Sequence, residues 1–156
     1  MFRLIPARLH RTGYRMAHAL RKCWWLLRQP SLLSVSVVAT DADGQLLLVQ
    51  LSYGTGMWSL PTGGAGRGEA PEDAARRELR EETGCDADWL EFLGMQQERI
   101  YGCYNTIHVF AAQTVGQPEA DQREVIGARF FPLDSLPQPL SDMTHRRLSM
   151  WRAHSQ

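Results

Sequence analysis

The sequence predicts an α/β fold in which helices cover both faces of a β-sheet. Three observations support this prediction. Several short segments are rich in β-branched residues and are bounded by turns. Residues 71–83 and 141–152 are predicted to be helical. The nearly continuous apolar run Leu46-Leu47-Leu48-Val49 is typical of a strand that is buried on both faces.

The chain of 156 residues is long enough for one domain with a substantial core. Its hydrophobic share of 44% and its charged share of 22% are ordinary for a soluble globular protein. No apolar stretch approaches the length of about 20 residues that a transmembrane helix needs. We therefore expect one soluble domain over residues 31–156, preceded by an extension over residues 1–30.

Charge is distributed unevenly, although the formal net charge is zero. Residues 1–30 contain seven basic residues and no acidic residue, which leaves 10 basic and 17 acidic residues for the rest of the chain. An acidic domain argues against a broad basic surface for general nucleic-acid binding. It suits a metal-dependent site that acts on a small molecule.

The cysteines bear on the compartment. Cys23, Cys85 and Cys103 are far apart in the sequence and show no Cys-x-x-Cys spacing. Such a pattern favours reduced thiols over a disulfide framework or a zinc site. We therefore expect a cytoplasmic protein.

Residues 16–28 have the pattern of a basic amphipathic helix. Apolar residues recur at helical spacing and the basic residues lie elsewhere around the helix; the apolar positions are Met16, Leu20, Cys23, Trp24 and Leu27. We favour a helix that covers the core of the domain. The alternative is contact with a membrane surface or a partner protein, since tryptophan and arginine suit such an interface. Met16 is also a candidate for the natural first residue.

The first two strands are predicted at residues 33–40 and 45–51. The intervening Asp41-Ala42-Asp43-Gly44 is typical of a turn, so we expect a hairpin. Residues 52–57 then form a loop that contains Tyr53.

The later elements follow the helix at 71–83, which Gly84 is placed to terminate. Strands are expected at residues 89–98, 106–114 and 128–131, the first two as a hairpin. His108 lies in that hairpin, and we interpret a lone histidine in a strand as structural. The closing helix at 141–152 has Ser141 or Asp142 as its N-terminal cap.

The helix at 71–83 concentrates acidic residues on one side. At about 100° per residue, Glu78, Glu81 and Glu82 fall within an arc of roughly 100°. Their mutual repulsion has to be offset by arginines or by a bound cation. Arg76, Arg77 and Arg80 are interleaved with them, so a salt-bridged surface helix is one interpretation and a metal site is the other.

The segment before this helix favours the metal site. Residues 61–68, with the sequence PTGGAGRG, form a glycine-dense loop. Glycine permits unusual backbone conformations and lets a ligand approach the main chain closely. A loop of this kind beside a carboxylate-bearing helix indicates a site for an anionic group, with a metal ion between carboxylate and phosphate.

The loop and helix together resemble the signature of the Nudix (MutT-like) hydrolases. The matching positions, in order and in register, are Gly63, Glu69, Arg77-Glu78-Leu79, Glu81-Glu82 and Gly84-Cys85. The resemblance extends to Trp58-Ser59-Leu60-Pro61 and to residues 128–133, and covers residues 33–150. It implies an α/β/α sandwich with a mixed central sheet. Thr62 departs from the family, which commonly has glycine there.

The resemblance also implies a reaction and a cofactor. Nudix enzymes cleave a diphosphate linked to a nucleoside or another group, by attack of water on phosphorus. By resemblance, Glu78, Glu81 and Glu82 would hold Mg²⁺ or Mn²⁺, with the main-chain carbonyl of Gly63 as a further ligand. The metal would neutralise and orient the diphosphate and make bound water more acidic.

Other residues receive supporting roles. Arg77 lies four residues before Glu81 and is placed to orient that carboxylate. Glu69 either binds metal through water or fastens the loop to the helix. Gly64 and Tyr53 are candidates for substrate contact. Glu124 or Glu119 is a candidate general base, with an ordinary surface acid as the alternative for each.

The resulting hypothesis is a metal-dependent hydrolase of nucleoside diphosphate derivatives. The alternative from another class is a Nudix-fold nucleotide-binding or regulatory module without catalysis. Retention of three mutually repelling glutamates argues for the enzyme. The sequence leaves the attached group open, from nucleoside triphosphates and ADP-ribose-like sugars to dinucleoside polyphosphates and capped RNA; the short acidic domain favours small nucleotides.

Overall fold

The computed structural model describes residues 31–53, 56–100, 102–120, 122 and 124–154, together with Gly13, Met16, Ala17 and Leu20. This part of the chain contains strands and helices in the following order: β1 (Leu32–Thr40), β2 (Leu46–Leu51), β3 (Trp58–Ser59), β4 (Thr62–Gly64), α1 (Pro71–Thr83), β5 (Asp86–Ile100), β6 (Cys103–Val115), β7 (Val125–Phe131) and α2 (Asp142–His154).

The strands form one mixed sheet in the order β3-β2-β1-β6-β5, with β4 paired to β1 and β7 paired to β2. Strands β1 and β6 are parallel, and the other pairs are antiparallel. The predicted fold class, an α/β/α sandwich with a mixed central sheet, is confirmed.

The two helices cover opposite faces of the sheet because successive side chains of a strand point to opposite sides. In β1, Val35 and Val37 pack in one core cluster with Ala75 and Leu79 of α1. Val38 points to the opposite face of the sheet and packs in a second cluster, which includes Leu148 of α2. The apolar run of β2 divides in the same way, Leu47 with the first cluster and Leu46 and Leu48 with the second, which confirms the predicted two-sided burial.

The predicted first hairpin is confirmed only at its turn. Asp41 holds the turn, since its side chain accepts hydrogen bonds from the amides of Asp43 and Gln45 at 3.0 and 2.8 Å. Beyond the single register pair Thr40 and Leu46, the strands pair elsewhere, β1 with β4 and β6 and β2 with β3 and β7. Strands β6 and β7 occupy the outer edges of this pair, so it is β4 on β1 and β3 on β2 that take the place of the remaining hairpin pairs.

The second predicted hairpin, β5 with β6, is confirmed and is longer than expected, with pairs from Asp86 and Val115 to Ile100 and Cys103. Both helix ends also behave as predicted. Gly84 ends α1 in a left-handed conformation with a φ of 71°, and its amide donates to the carbonyl of Arg80 at 2.9 Å. The Ser141 hydroxyl accepts a hydrogen bond from the Thr144 amide at 3.1 Å and so caps α2.

In the N-terminal extension, the described residues Met16 and Leu20 are 62% and 69% exposed. The favoured interpretation required these two side chains to pack on the core of the domain, and they do not. The other apolar positions of the extension, and Cys23, lie outside the described residues. Within the described part of the chain, no helix is long and apolar enough to span a bilayer. Cys85 and Cys103 are both fully buried.

Candidate active site

The glycine loop is attached to the centre of the sheet on one side and to α1 on the other. Leu60, which precedes it, is fully buried. Strand β4 then runs antiparallel to β1, with Thr62 opposite Ser36 and Gly63 opposite Val35. Pro71 follows as the first residue of α1, where its missing amide proton costs no helical hydrogen bond. The sheet thereby presents the loop backbone to the acidic side of α1.

Gly63 lies directly against the carboxylate of Glu78. A Cβ atom at position 63 would overlap the carboxylate carbon and both carboxylate oxygens. A side chain at position 63 would therefore require this carboxylate, the far end of a flexible side chain, to move away. Gly64 differs, since a Cβ atom there would meet no atom within 4 Å.

Arg77 connects four groups of the loop and helix. It makes a two-pronged pair with Glu69, at 2.8 and 2.9 Å, and donates to the Gly64 carbonyl at 2.9 Å. Its Nη1 lies 2.6 Å from Glu78 and 3.3 Å from Glu81. These hydrogen bonds, that with Glu69 first, raise the pKa of the guanidinium. The 3.3 Å contact with Glu81 is the contact on which the predicted role of Arg77 depends, and that role stays a prediction.

Glu69 fastens the loop to the helix. One carboxylate oxygen also accepts a hydrogen bond from the Gly66 amide at 2.6 Å. The hydrogen bonds from Arg77 and from Gly66 lower the pKa of Glu69 from its usual 4.5 to about 2. Of its two predicted roles, these contacts match loop attachment.

Glu78 and Glu82 are the sheltered acids of α1, whereas the side chain of Glu81 is 62% exposed. Burial raises the pKa of Glu78 above its usual value, Arg77 opposes this, and the charges of Glu81 and Glu124 add to it. Glu82 is only 7% exposed and accepts a hydrogen bond from the Thr62 amide at 3.0 Å. The loop therefore holds two of the three acids, one against Gly63 and one against Thr62.

Tyr53 and Glu124 come from distant parts of the sequence and meet beside these acids. The Tyr53 hydroxyl donates to the Glu124 carboxylate at 2.6 Å, and the Glu124 carbonyl accepts from the Ser52 amide at 2.8 Å. The charge of Glu124 acts on Glu78, so the two acids are within electrostatic reach of each other.

A match to a known family model identifies the family of this chain. A family model described as NUDIX domain matches residues 30–152, which is most of the chain. The protein belongs to the NUDIX domain family.

Relatives and solved structures agree with this assignment. An RNA pyrophosphohydrolase of Saccharophagus degradans is 43% identical over 65 residues, which are 41% of this chain and 38% of that protein. A putative 8-oxo-dGTP diphosphatase of Bacillus subtilis is 33% identical over 102 residues, 65% of this chain and 66% of that protein. The crystal structure of a MutT NUDIX hydrolase from Burkholderia pseudomallei superposes with a TM-score of 0.70 at 26% identity and covers 78% of this chain and 98% of that one.

The matched segments are short relative to the first relatives. They span 38% and 37% of the lengths of the first two, both RNA pyrophosphohydrolases. The family model and the solved structures establish the family and the fold of this chain, whereas these short matches leave its substrate as a separate question.

The acids of this NUDIX domain fit a divalent cation by their donor chemistry, because Mg²⁺ and Mn²⁺ prefer carboxylate and carbonyl oxygens. Within the described ranges, however, no three His, Cys, Asp or Glu side chains are gathered closely enough to hold a metal ion. Arg77 contacts both Glu78 and Glu81. Metal ligation by Glu78, Glu81, Glu82 and Gly63 stays a prediction.

Two further predicted positions have structural contacts. The Glu119 amide donates to the Thr83 carbonyl at 2.8 Å, which places Glu119 at the C-terminal end of α1. The ring of His108 lies 5.6 Å from that of Phe92, a packing contact within the β5–β6 hairpin. Of the two candidate bases, Glu124 is the one whose charge acts on Glu78.

Sequence reasoning missed a buried ion pair behind the loop. Arg147 of α2 lies 2.8 Å from Glu98 of β5, and the two side chains are only 4% and 3% exposed. Burial lowers the pKa of Arg147, and Glu98 opposes that effect. An arginine within a predicted closing helix gives no sequence signal of burial, because charged residues are the usual exposed residues of a surface helix.

Proposed function

We propose that this protein is a metal-dependent hydrolase that cleaves a diphosphate linkage in a nucleoside diphosphate derivative by attack of water on phosphorus. The observation that supports this most strongly is the packing of Glu78 on Gly63, beside Glu82 on the Thr62 amide. This packing brings two acids of one helical face against the backbone of the glycine loop. A carboxylate whose pKa is raised by burial gains from a bound cation, which restores a partner for its charge.

The residues would act in the following way. Glu78, Glu81, Glu82 and the Gly63 carbonyl would hold Mg²⁺ or Mn²⁺, which neutralises charge on the diphosphate and acidifies bound water. Arg77 orients Glu78 and Glu81 and attaches the loop through Glu69. Gly64 leaves open space beside the loop backbone for substrate oxygens.

Glu124 is the proposed proton acceptor for the attacking water. Its carboxylate already acts electrostatically on Glu78 and is oriented by the Tyr53 hydroxyl. Water forms a new bond to phosphorus, the bridging oxygen leaves with the other phosphate, and the proton passes to Glu124. Tyr53 would therefore contribute to the substrate site through Glu124.

The names of two relatives support a substrate with a pyrophosphate or diphosphate bond, since one is an RNA pyrophosphohydrolase and the other a putative 8-oxo-dGTP diphosphatase. Small nucleotides agree with the acidic domain, which does not favour a long RNA. A cytoplasmic location agrees with the three widely spaced cysteines of the sequence, which show no Cys-x-x-Cys spacing.

The test is release of phosphate or nucleoside monophosphate from a panel of nucleotide diphosphate derivatives, with Mg²⁺ or Mn²⁺, beside the Glu82→Gln variant. We expect metal-dependent turnover of one class and a loss of at least about 100-fold in Glu82→Gln, with the fold retained. Wild-type activity in Glu82→Gln would contradict the role of Glu82. An inactive wild-type protein that still binds metal and nucleotides would support the non-catalytic binding module.

A further inference from the structure

The buried pair of Arg147 and Glu98 is connected to Glu82 by a short chain of hydrogen bonds. Nη1 of Arg147 lies 3.4 Å from the hydroxyls of both Ser36 and Thr62. Those two hydroxyls lie 2.9 Å from each other. The amide of the same Thr62 then donates to Glu82 at 3.0 Å.

The same hydroxyls fix the backbone that leads into the loop. The Thr62 hydroxyl donates to the Leu60 carbonyl at 2.9 Å, and the Ser36 hydroxyl donates to the Pro61 carbonyl at 3.3 Å. Thr62 is the position at which this chain departs from the glycine common in the family. A glycine there could not make the side-chain contacts to Ser36 and Arg147.

The pair is poorly built for stability alone. Among the described residues, Nε of Arg147 and Oε2 of Glu98 have no hydrogen-bond partner, although both are buried. Removal of two charges from water is expensive, and only complete hydrogen bonding compensates for it. An apolar pair of similar volume would fill this space at no loss in folding free energy. Its location behind Thr62 provides a reason for its presence.

We infer that Arg147 is a positioning residue for Glu82. With Glu98 as its counter-ion, it holds the Ser36 and Thr62 hydroxyls and thereby fixes the Thr62 amide that orients the Glu82 carboxylate. This inference rests on the proposed function for the role of Glu82 in metal binding. The contacts of Arg147 with the loop, by contrast, are properties of the protein without metal.

The main test is the double variant Arg147→Met/Glu98→Leu, which replaces both charges with apolar groups of similar size. We expect an unchanged or higher unfolding midpoint. At the same time, we expect Mn²⁺ affinity, measured by electron paramagnetic resonance, to fall about 10-fold. Hydrogen exchange of the Thr62 amide in the metal-free protein should become faster, while amides at the Asp86–Val115 end of the β5–β6 hairpin exchange at the wild-type rate.

The matched control is Arg80→Gln/Asp86→Asn. It removes another arginine–acid pair with the same net charge change, but from side chains that are 67% and 55% exposed and that join α1 to the start of β5. Mn²⁺ affinity and Thr62 exchange should stay at wild-type values in this control.

A second variant keeps the inference testable if the double variant does not fold. Thr62→Val preserves the side-chain shape but removes the hydroxyl, so it should also accelerate Thr62 exchange and weaken Mn²⁺ binding. Wild-type exchange and Mn²⁺ affinity in either folded variant would overturn the inference. Because these measurements need no turnover, failure to find a substrate would reject the proposed function and leave this inference standing.

Discussion

Arg77 and Arg147 show how the same side chain serves two different surroundings. Each pairs with glutamate, and the two are carried by helices that cover opposite faces of the sheet. The Arg77 side chain is 35% exposed and has three acidic partners, whereas Arg147 is 4% exposed and has one close partner. Accordingly, hydrogen bonding raises the pKa of Arg77, whereas burial lowers that of Arg147.

The two networks therefore control different properties, carboxylate orientation for Arg77 and folding stability for Arg147. A half-exposed network of charges adds little to the folding free energy, because water screens it, but it orients carboxylates that a substrate or cation can reach. A buried pair has large effects on stability when one partner is removed. Variants in the two networks should therefore differ in stability and in turnover.

The largest effect on stability is expected for Arg147→Met. This variant removes the close counter-ion of the buried Glu98 and leaves only the exposed Arg146, 3.8 Å away, which costs about 3–5 kcal/mol of unfolding free energy. Arg77→Met should cost only about 1 kcal/mol, because its partners are near water, but should reduce turnover about 10–100-fold. Denaturant unfolding and steady-state kinetics on both variants measure the contrast. Equal loss of stability in the two would contradict the distinction between exposed and buried networks.

The next effect separates the two glycines of the loop. Gly63→Ala forces the Glu78 carboxylate away and should cost about 1–3 kcal/mol, as overpacking does. Gly64→Ala meets open space, so its thermal unfolding midpoint should match that of the wild-type protein. The difference in midpoint between these variants, followed by circular dichroism, measures how tightly the loop packs on α1. A Gly63→Ala protein as stable as Gly64→Ala would show that Glu78 is not held there.

The contributions of Glu69 and Glu78 to the stability of the fold should depend on pH with opposite signs. The pKa of Glu69 is lowered from 4.5 to about 2, so its stabilisation is present above 4.5 and is lost as the pH falls toward 2. The pKa of Glu78 is raised by burial, so its charged form destabilises the fold at high pH. This destabilisation disappears as the pH falls through the raised pKa toward the usual value.

Calorimetric midpoints over an acid pH series test both signs. Near neutral pH, Glu69→Gln should unfold below the wild-type temperature and Glu78→Gln above it. Each difference should shrink on acidification, that of Glu78→Gln at the higher pH. A constant difference across the series in either variant would mean that the carboxylate has the same pKa in the folded and unfolded protein.

The smallest effect is expected for Tyr53→Phe, which removes the 2.6 Å hydrogen bond to Glu124. A hydrogen bond to a partly exposed carboxylate contributes about 1.5 kcal/mol, the lower end of the range for charged partners, which corresponds to a roughly 10-fold change in kcat/KM. The matched variant Tyr104→Phe removes a hydroxyl hydrogen-bonded to Arg99 on an exposed part of the sheet and should leave kinetics unchanged. Equal kinetic effects in both variants would remove Tyr53 from the substrate site.

Local patterns predicted much of the molecule. Helix α1 has the predicted bounds, and its C-terminal glycine cap is present, because capping and helical propensity act within a few residues. The spacing of the acids on α1 followed from helical geometry in the same way. The contact of Arg77 with Glu81 followed because residues four apart are neighbours on a helix.

Pairing over long distances was the part that sequence reasoning mispredicted or missed. The strands of the predicted first hairpin diverge after one pair, because β4 pairs with β1 and β3 pairs with β2 on the edges that the hairpin would join. The pair of Arg147 and Glu98 joins residues 49 positions apart. No local pattern encodes which charged residue a helix turns inward.

The sequence by itself determined the family, the acidic face of α1 and the loop that precedes it, since these are periodic or contiguous patterns. Only the tertiary structure decided that Glu78 packs on Gly63, that Tyr53 meets Glu124, and that Arg147 supports Thr62. The physical reason is that burial and hydrogen-bond partners depend on which surfaces the sheet brings together, whereas periodicity records only the direction in which each side chain leaves its own backbone.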